Sequence, residues 1–303
     1  MAASSRSAAT GSARSAERTL DILLAFLGDG APLGISDLSR SVRLPKATVH
    51  RLVAVLVGRG FLSRDPNSGR YRVGVAAFQL GARFLDQTHV RGAALPVIRD
   101  LAAATGETVN LNVVIGDRRV CVEKAESAHD IRHAVELGRP LPLHAGASGK
   151  VLLAHRPEAE IAAIVSAGLA RFTSRTPVDR HVLLRQLAEI RRRGIAVSSD
   201  ERVEGASAVS APILDGQGEV VAGLTISGPT FRFTPERVRD FSARVREGAQ
   251  RVSRALGFQG PAASGRGRGN AVRRPGRPGR VPGAARRTPI GTAVGRRGPR
   301  RWG

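Results

Sequence analysis

Two short stretches of this 303-residue chain hold residue types whose spacing could do chemistry. In the first, 44–60, Val49, Leu52, Val53 and Leu56 recur at i, i+3, i+4 and i+7, so a helix there has one narrow apolar stripe. Its opposite side carries Ala47, Thr48, His50, Arg51 and Ala54. That face is polar and basic near its start and small-sided further on. It suits a flat, negative, acceptor-rich partner; the alternative is a solvated helix face. The second stretch is 143–153, where Gly146, Ala147, Ser148, Gly149 and Lys150 follow one another. A phosphate loop needs four residues between its first Gly and its Gly-Lys pair; here two separate Gly146 from Gly149, and Val151 follows the lysine. A nucleophile elbow needs Gly-x-Ser-x-Gly, and this run is one residue short. What is left is a Gly/Ala-rich turn opening a helix near Ser148. Its free amides and helix dipole suit a carboxylate or similar anion; close packing of small residues beneath a sheet explains the composition equally well.

The whole chain narrows the classes. Net charge is +23, yet from Phe258 onward there are 12 Arg and no Asp, Glu or Lys, so the tail supplies about half of the excess. One cysteine, Cys121, excludes an intramolecular disulfide framework and suits a reducing compartment. No apolar run approaches the ~18–20 residues a membrane span requires, and the first fourteen residues lack the apolar core of a secretory signal. A soluble cytoplasmic protein is expected. Other chemistry is thin. His129 and His133 stand four apart but lack the glutamate of a zinc-protease helix, and the remaining histidines are scattered, so neither metal nor cofactor is expected. Asp200, Glu201 and Glu204 read as loop charges, one of which could face a pocket.

The first stretch needs a scaffold, and its flanks supply one. Residues 1–14 read as disordered. A helix follows from Ser15 as N-cap to about Leu27, with Leu20, Leu23, Leu24 and Leu27 on one stripe. A second, short helix is expected over 36–42, with Ile35 as staple and Ser36-Asp37 at its cap. Pro45 breaks the chain and opens the third helix, which Gly58 and Gly60 close. Phe61–Arg64 and Arg70–Val73 flank a Pro/Asn/Gly turn and predict a hairpin. Helix, helix, tight turn, helix and two-stranded wing make a winged helix-turn-helix, whose third helix enters the major groove of DNA. Thr48, His50 and Arg51 become the base readers, and Lys46, Arg64, Arg70 and Arg72 the phosphate contacts.

Further on, 76–88 predicts a connecting helix and 93–104 a second one, with Pro96 in its first turn. Val109, Leu111, Val113 and Ile115 alternate with Thr108, Asn110 and Asn112 as in a strand. Strands are also expected at 120–122, 131–137, 195–198, 206–214 and 219–227, the last two joined by a tight hairpin at 215–218. A closing helix runs from Thr234, with Pro235 at its first position, to about Leu256. Hairpin-joined strands argue for an antiparallel or mixed sheet and an α+β domain. The tail, 258–303, is rich in Gly, Pro and Arg without apolar period and reads as disordered; it is either dispensable or a non-specific DNA arm.

These residues together resemble the IclR-type bacterial transcriptional regulators. Ser36-Asp37-Leu38-Ser39-Arg40, Leu44-Pro45-Lys46-Ala47-Thr48-Val49-His50-Arg51-Leu52 and Gly69-Arg70-Tyr71-Arg72-Val73-Gly74 are similar to that family's DNA-binding domain. Pro142–Lys150, Asp200–Gly205, Ser210–Ile213 and Leu224–Pro229 are similar to its effector-binding domain. The resemblance implies a winged helix-turn-helix over 15–75, a linker helix over 76–92 and a GAF-like mixed α/β effector domain over 93–257. It implies a pocket built from the backbone of Gly146 and Ala147 and the side chains of Asp200, Ser210, Thr225 and Ser227, taking a small organic acid. It implies a homodimer or homotetramer on a pseudo-palindromic operator of double-stranded DNA, acting as a repressor and not as an enzyme. An enzyme using Ser148, His144 or Asp200, an activator of a catabolic operon, and an architectural DNA-binding protein are the competing readings.

Overall fold

The computed structural model describes residues 2–28, 30–86 and 89–260 of the chain, so the expected tail lies, beyond Gly260, outside the described residues. The N-terminal portion is built as α1 (Ala2–Leu24), α2 (Ile35–Val42), α3 (Lys46–Gly58) and a hairpin of β1 (Leu62–Arg64) and β2 (Tyr71–Val73). Helix α1 starts at Ala2, not at Ser15. Its first turns are rich in alanine, the best helix former, and Ser15 sits inside the helix, where its carbonyl accepts from Thr19 Oγ1 at 2.8 Å. Helix α2 is capped two residues earlier than expected. Gly34 is the N-cap, and Asp37, in the first turn, accepts the Gly34 N–H at 3.0 Å. Pro45 is likewise the residue before α3 and not its first member.

The apolar stripe does what its period demands. Val49, Leu52, Val53 and Leu56 of α3 are buried against Ile22 and Phe26, Leu38 of α2, and Leu62 and Tyr71 of the wing. Each such side chain contributes about 1.5–3 kcal/mol through its burial, so the stripe fixes the helix's rotation. The wing gains a third point of attachment, because Leu33 and Tyr71 exchange both backbone hydrogen bonds, at 3.0 and 2.9 Å.

After α4 (Val75–Asp86) comes α5 (His89–Thr105). It begins a turn before the expected start, which leaves Pro96 inside the helix. A sheet of six strands follows, in the order β5-β4-β3-β8-β7-β6, every neighbouring pair antiparallel. Its members are β3 (Thr108–Ile115), β4 (Arg118–Ala125), β5 (Pro140–Pro142), β6 (Ala196–Ser199), β7 (Ala206–Leu214) and β8 (Val220–Pro229). Pairing of β3 with β8 joins the first part of the domain to the last. Helices α6 (Ala147–Leu153), α7 (Glu158–Ser166) and α8 (Arg180–Arg193) separate the two halves, and α9 (Pro235–Ala255) closes the domain. Thr234 caps α9 as expected, its hydroxyl accepting from the Arg237 N–H.

Side chains alternate across a strand, and here both faces are covered. Val109, Leu111, Val209, Ala211, Leu224 and Ile226 pack on one face against Ile98 of α5 and Phe241 and Val245 of α9. Helices α5 and α9 meet closely at Gly248, where a Cβ would lie 2.8 Å from Leu101 and 3.0 Å from Val97. On the other face lie the polar partners in the alternation: Thr108, Asn110, Asn112, Ser210, Thr225 and Ser227, none more than 3% exposed. Six polar side chains withdrawn from water on one sheet face need partners there.

One expected strand is absent. Residues 131–137 form no ladder, and Ile131 and Leu137 are exposed. Instead, side chains hold the carbonyls of alternate residues. Arg232 Nη2 donates to Ile131 at 3.0 Å, Thr108 Oγ1 to His133 at 3.3 Å and Lys124 Nζ to Val135 at 2.6 Å. The segment is a strap tied down by its neighbours, and its extended pattern in the sequence reflects that tethering.

Candidate functional site

The outer face of α3 presents the expected readers. Lys46, Ala47, His50, Arg51 and Ala54 are exposed and Thr48 is half-buried. All belong to a helix whose opposite stripe is locked in the core, so their directions are set by packing. The wing arginines differ among themselves. Arg70 donates to the Pro32 carbonyl at 2.8 Å and pairs with Asp37 of α2 at 3.2 Å, bracing the wing to the helix. Arg72 pairs with Asp65 at 3.0 Å. Arg64 makes only a 3.5 Å contact with the Gly69 carbonyl and stands at the tip of the hairpin.

The second stretch opens α6 as read, and its packing is tight. A Cβ on Gly149 would lie 2.6 Å from the Leu143 carbonyl oxygen, so α6 can rest on the chain before it only through a glycine. Beside α6, between the polar sheet face and the strap, is a cavity of about 60 Å³. At roughly 10–15 Å³ for each water centre, it has room for a handful of waters. Gly146, Ala147, Thr225 and Ser227 line it, as expected. Asp200 and Ser210 do not. The Asp200 carboxylate accepts from Ser199 Oγ at 2.9 Å, Thr230 Oγ1 at 3.0 Å and the Gly205 N–H at 2.7 Å, closing its own loop. Burial opposes ionisation there, but those bonds outweigh it and hold the carboxyl below the usual range. Ser210 lies one step behind the lining on the same sheet face, bonded to the Leu224 carbonyl at 3.0 Å and to Thr225 Oγ1 at 2.8 Å.

The first two amides at the α6 start already have partners. Gly146 N–H donates to Glu201 Oε2 at 3.0 Å, and Ala147 N–H to Ser198 Oγ at 2.9 Å. Glu201 is also ion-paired with Lys150. The anion expected at this helix start is thus supplied by the chain itself.

Arg119, His133 and Arg202 line the same cavity, and sequence reasoning passed them over. Arg119 is 6% exposed. It donates to Asn112 Oδ1 at 2.8 Å, Asn112 to Asn110 Oδ1 at 2.7 Å, and Asn110 to Ser227 Oγ at 3.2 Å. A polar chain therefore crosses the sheet from β4 to β8. Burial, then the nearby charge of Arg202, pulls the Arg119 pKa down to about 10. Burial, then Arg202 and Arg119, pulls His133 down to about 4. The only signal in the sequence was the basic pair Arg118-Arg119 entering an apolar strand, which reads equally well as a strand edge.

Known proteins share this architecture. The IclR helix-turn-helix domain matches residues 15–66, and the domain described as "Bacterial transcriptional regulator IclR C-terminal" matches residues 82–254. The chain belongs to the IclR family. The HTH-type transcriptional repressor AllR of Klebsiella pneumoniae is 37% identical over 248 residues, covering 82% of this chain and 91% of that protein. The crystal structure of Thermotoga maritima IclR superimposes with a TM-score of 0.70 at 30% identity, covering 81% of this chain and 99% of that one. An IclR homologue from Microbacterium hydrocarbonoxydans, solved in complex with 4-hydroxybenzoate, gives a TM-score of 0.71 at 27% identity, covering 80% and 98%. As an IclR-family member the chain is a DNA-binding transcriptional regulator. Among the described residues no helix is long and apolar enough to cross a membrane.

The neutral His133 has a measurable consequence. An unfolded histidine takes its proton near pH 6.5, whereas the folded protein withholds it until about pH 4. Unfolding therefore takes up a proton in that window. The stability that His133 contributes is complete above about pH 6.5 and is lost as the pH falls toward 4. Urea midpoints measured across that range should fall less steeply for His133→Gln than for the wild type. Parallel slopes would show that His133 does not carry the effect.

Proposed function

We propose that this IclR-family regulator is a homodimeric cytoplasmic repressor that leaves a pseudo-palindromic operator when a compact organic acid enters the cavity under the strap. The observation that carries the reading is the pairing of two features in one chain. One is a basic, small-sided helix face held outward by a packed winged domain; the other is a partly open cavity lined by the buried Arg119 and by Arg202. Repression follows the curated relatives, which are named repressors, and an acid effector has a parallel in the homologue solved with 4-hydroxybenzoate.

A second copy accounts for apolar surface that the single chain leaves open. Leu20, Leu24 and Leu27 beside the winged domain are 58–74% exposed, as is Phe78 of α4 at 73%, and apolar surface gathered in this way marks an association face. A dimer sets two recognition helices on two half-sites. Allosteric release requires only that the acid bind one arrangement of the winged domains more tightly than the other.

A regulator, rather than an enzyme, also suits the side chains around α6. His144 Nε2 is bonded to the Ala170 carbonyl at 2.9 Å and Glu201 is committed to Lys150 and Gly146, so neither is set against Ser148 as a base. The test is selection of operator DNA from a random pool, followed by footprinting and light scattering with and without small acids. Two-fold symmetric protection by a dimer, relieved by an acid, is the expected result. Protection without sequence preference would instead establish an architectural protein.

A further inference from the structure

Six charged or titratable side chains line the cavity, and most are spent. Glu136 is bound to Arg139 at 2.6 Å. Glu201 is bound to Lys150 and to the Gly146 N–H. His133 is neutral at ordinary pH and its Nδ1 has no partner. Arg119 and Arg202 have no ion pair among the described residues. Arg119 is the more exceptional, since its guanidinium is almost fully withdrawn from water, its one bond goes to a neutral amide, and its Nε has no partner. Removing such a cation from water without an anion is costly.

We infer that Arg119 is the anion anchor of this pocket, and that the effector docks its carboxylate at the β4–strap end of the cavity, with a second carboxylate facing Arg202. This deepens the proposed function and rests on it. Three observations converge. Of the amides at the α6 start, the other donor set on the cavity wall, those of Gly146 and Ala147 are already taken by Glu201 and Ser198, whereas Arg119 Nε and His133 Nδ1 are buried polar atoms without a partner. A planar guanidinium matches a carboxylate through two parallel hydrogen bonds, and the bond to Asn112 fixes its orientation before the ligand arrives. The cavity lining also includes Val135, Leu141 and Val203, which suit a short carbon chain better than an inorganic anion. The small cavity favours a chain of three or four carbons.

Calorimetry and thermal unfolding of the full chain with malonate, acetate and inorganic phosphate test the assignment. Malonate should bind at least tenfold more tightly than either of the others. Arg119→Met should raise the ligand-free Tm, because it removes a buried unpaired charge, and should weaken malonate binding at least tenfold. Arg119→Lys keeps the charge without the fork and should fall between. Malonate binding unchanged in Arg119→Met, malonate no tighter than acetate, or phosphate tighter than malonate would each overturn the proposal. A wild type that binds selected operator DNA but ignores malonate defeats the anchor and leaves the regulator standing; one that binds malonate but no operator does the reverse.

Discussion

The double change Thr48→Ala, Arg51→Ala should remove discrimination between operator and random DNA, lowering operator affinity by a factor of about a hundred or more while leaving the protein folded. A well-formed side-chain contact to a base edge discriminates by about 1–3 kcal/mol, so two of them give about 2–6 kcal/mol, and a hundredfold loss, about 2.7 kcal/mol, sits toward the lower end of that range. Arg51 is exposed and Thr48 half-buried, and neither belongs to the apolar stripe of α3, so the core of the winged domain is untouched. Lys46→Ala should behave differently. It stands exposed at the helix start; because it is the expected phosphate contact, its loss should weaken all DNA about equally and reduce the salt slope by about one. Anisotropy titrations on operator and random duplexes at several salt concentrations separate the two effects. Operator preference surviving the double change would mean that α3 is not the reading helix.

Lys150→Met should destabilise the effector domain by about 3–5 kcal/mol, the usual cost of leaving a buried charge without its partner. The Lys150 side chain is 3% exposed and that of Glu201 10%. Lys150 also reaches Gln186 Oε1 at 3.0 Å. Around the pair, Thr176 Oγ1 donates to the Glu201 carbonyl at 2.7 Å and Thr173 Oγ1 to the Asp200 carbonyl at 2.6 Å. Losing the lysine leaves the carboxylate with one backbone amide, and the loop carrying it loses its hold on α6. Against a total stability of roughly 5–15 kcal/mol for an ordinary domain, this is a large fraction. Replacing both members, as Lys150→Met with Glu201→Leu, should recover part of the loss, since two apolar groups leave no stranded charge. Urea unfolding of the two single changes and the double measures the coupling. Single changes costing under about 1 kcal/mol would show that the pair is not buried in solution.

The two halves of the chain were unequally readable, for a physical reason. In the winged domain each signal is local. The i, i+3, i+4, i+7 stripe of α3, the break at Pro45 and the Asp65–Gly69 turn act within a few residues of themselves, and HTH order follows from their spacing. Where the reading slipped there, it slipped at helix starts: by several turns at α1, which begins at Ala2 and not Ser15, and by a cap at α2. Gly34 takes the N-cap because Asp37, one turn on, supplies the side chain that reaches back. In the effector domain, β7, the 215–218 hairpin and the Thr234 cap were equally local and equally legible. The strap at 131–137 was not. Its extended backbone is held by Lys124, Thr108 and Arg232, three residues scattered along the chain, and no pattern within the segment distinguishes that from a ladder.

The sequence alone determined that α3 leaves Thr48, His50 and Arg51 on the face opposite its buried stripe, because packing periodicity fixes which side of a helix is left over. It also determined that 143–153 turns into a helix, since the Gly/Ala run there admits a tight turn, and the Gly149 packing agrees. Only the tertiary structure decided what that turn does. The Gly146 amide meets an acid from fifty-five residues away in the chain, Glu201, so the chain itself places a carboxylate at the helix start. The unmet charge lies instead on Arg119, isolated when β4 joins a sheet whose polar face is sealed by α6 and the strap. A charge becomes a binding site through the partners it lacks, and which partners it lacks is settled by the whole fold.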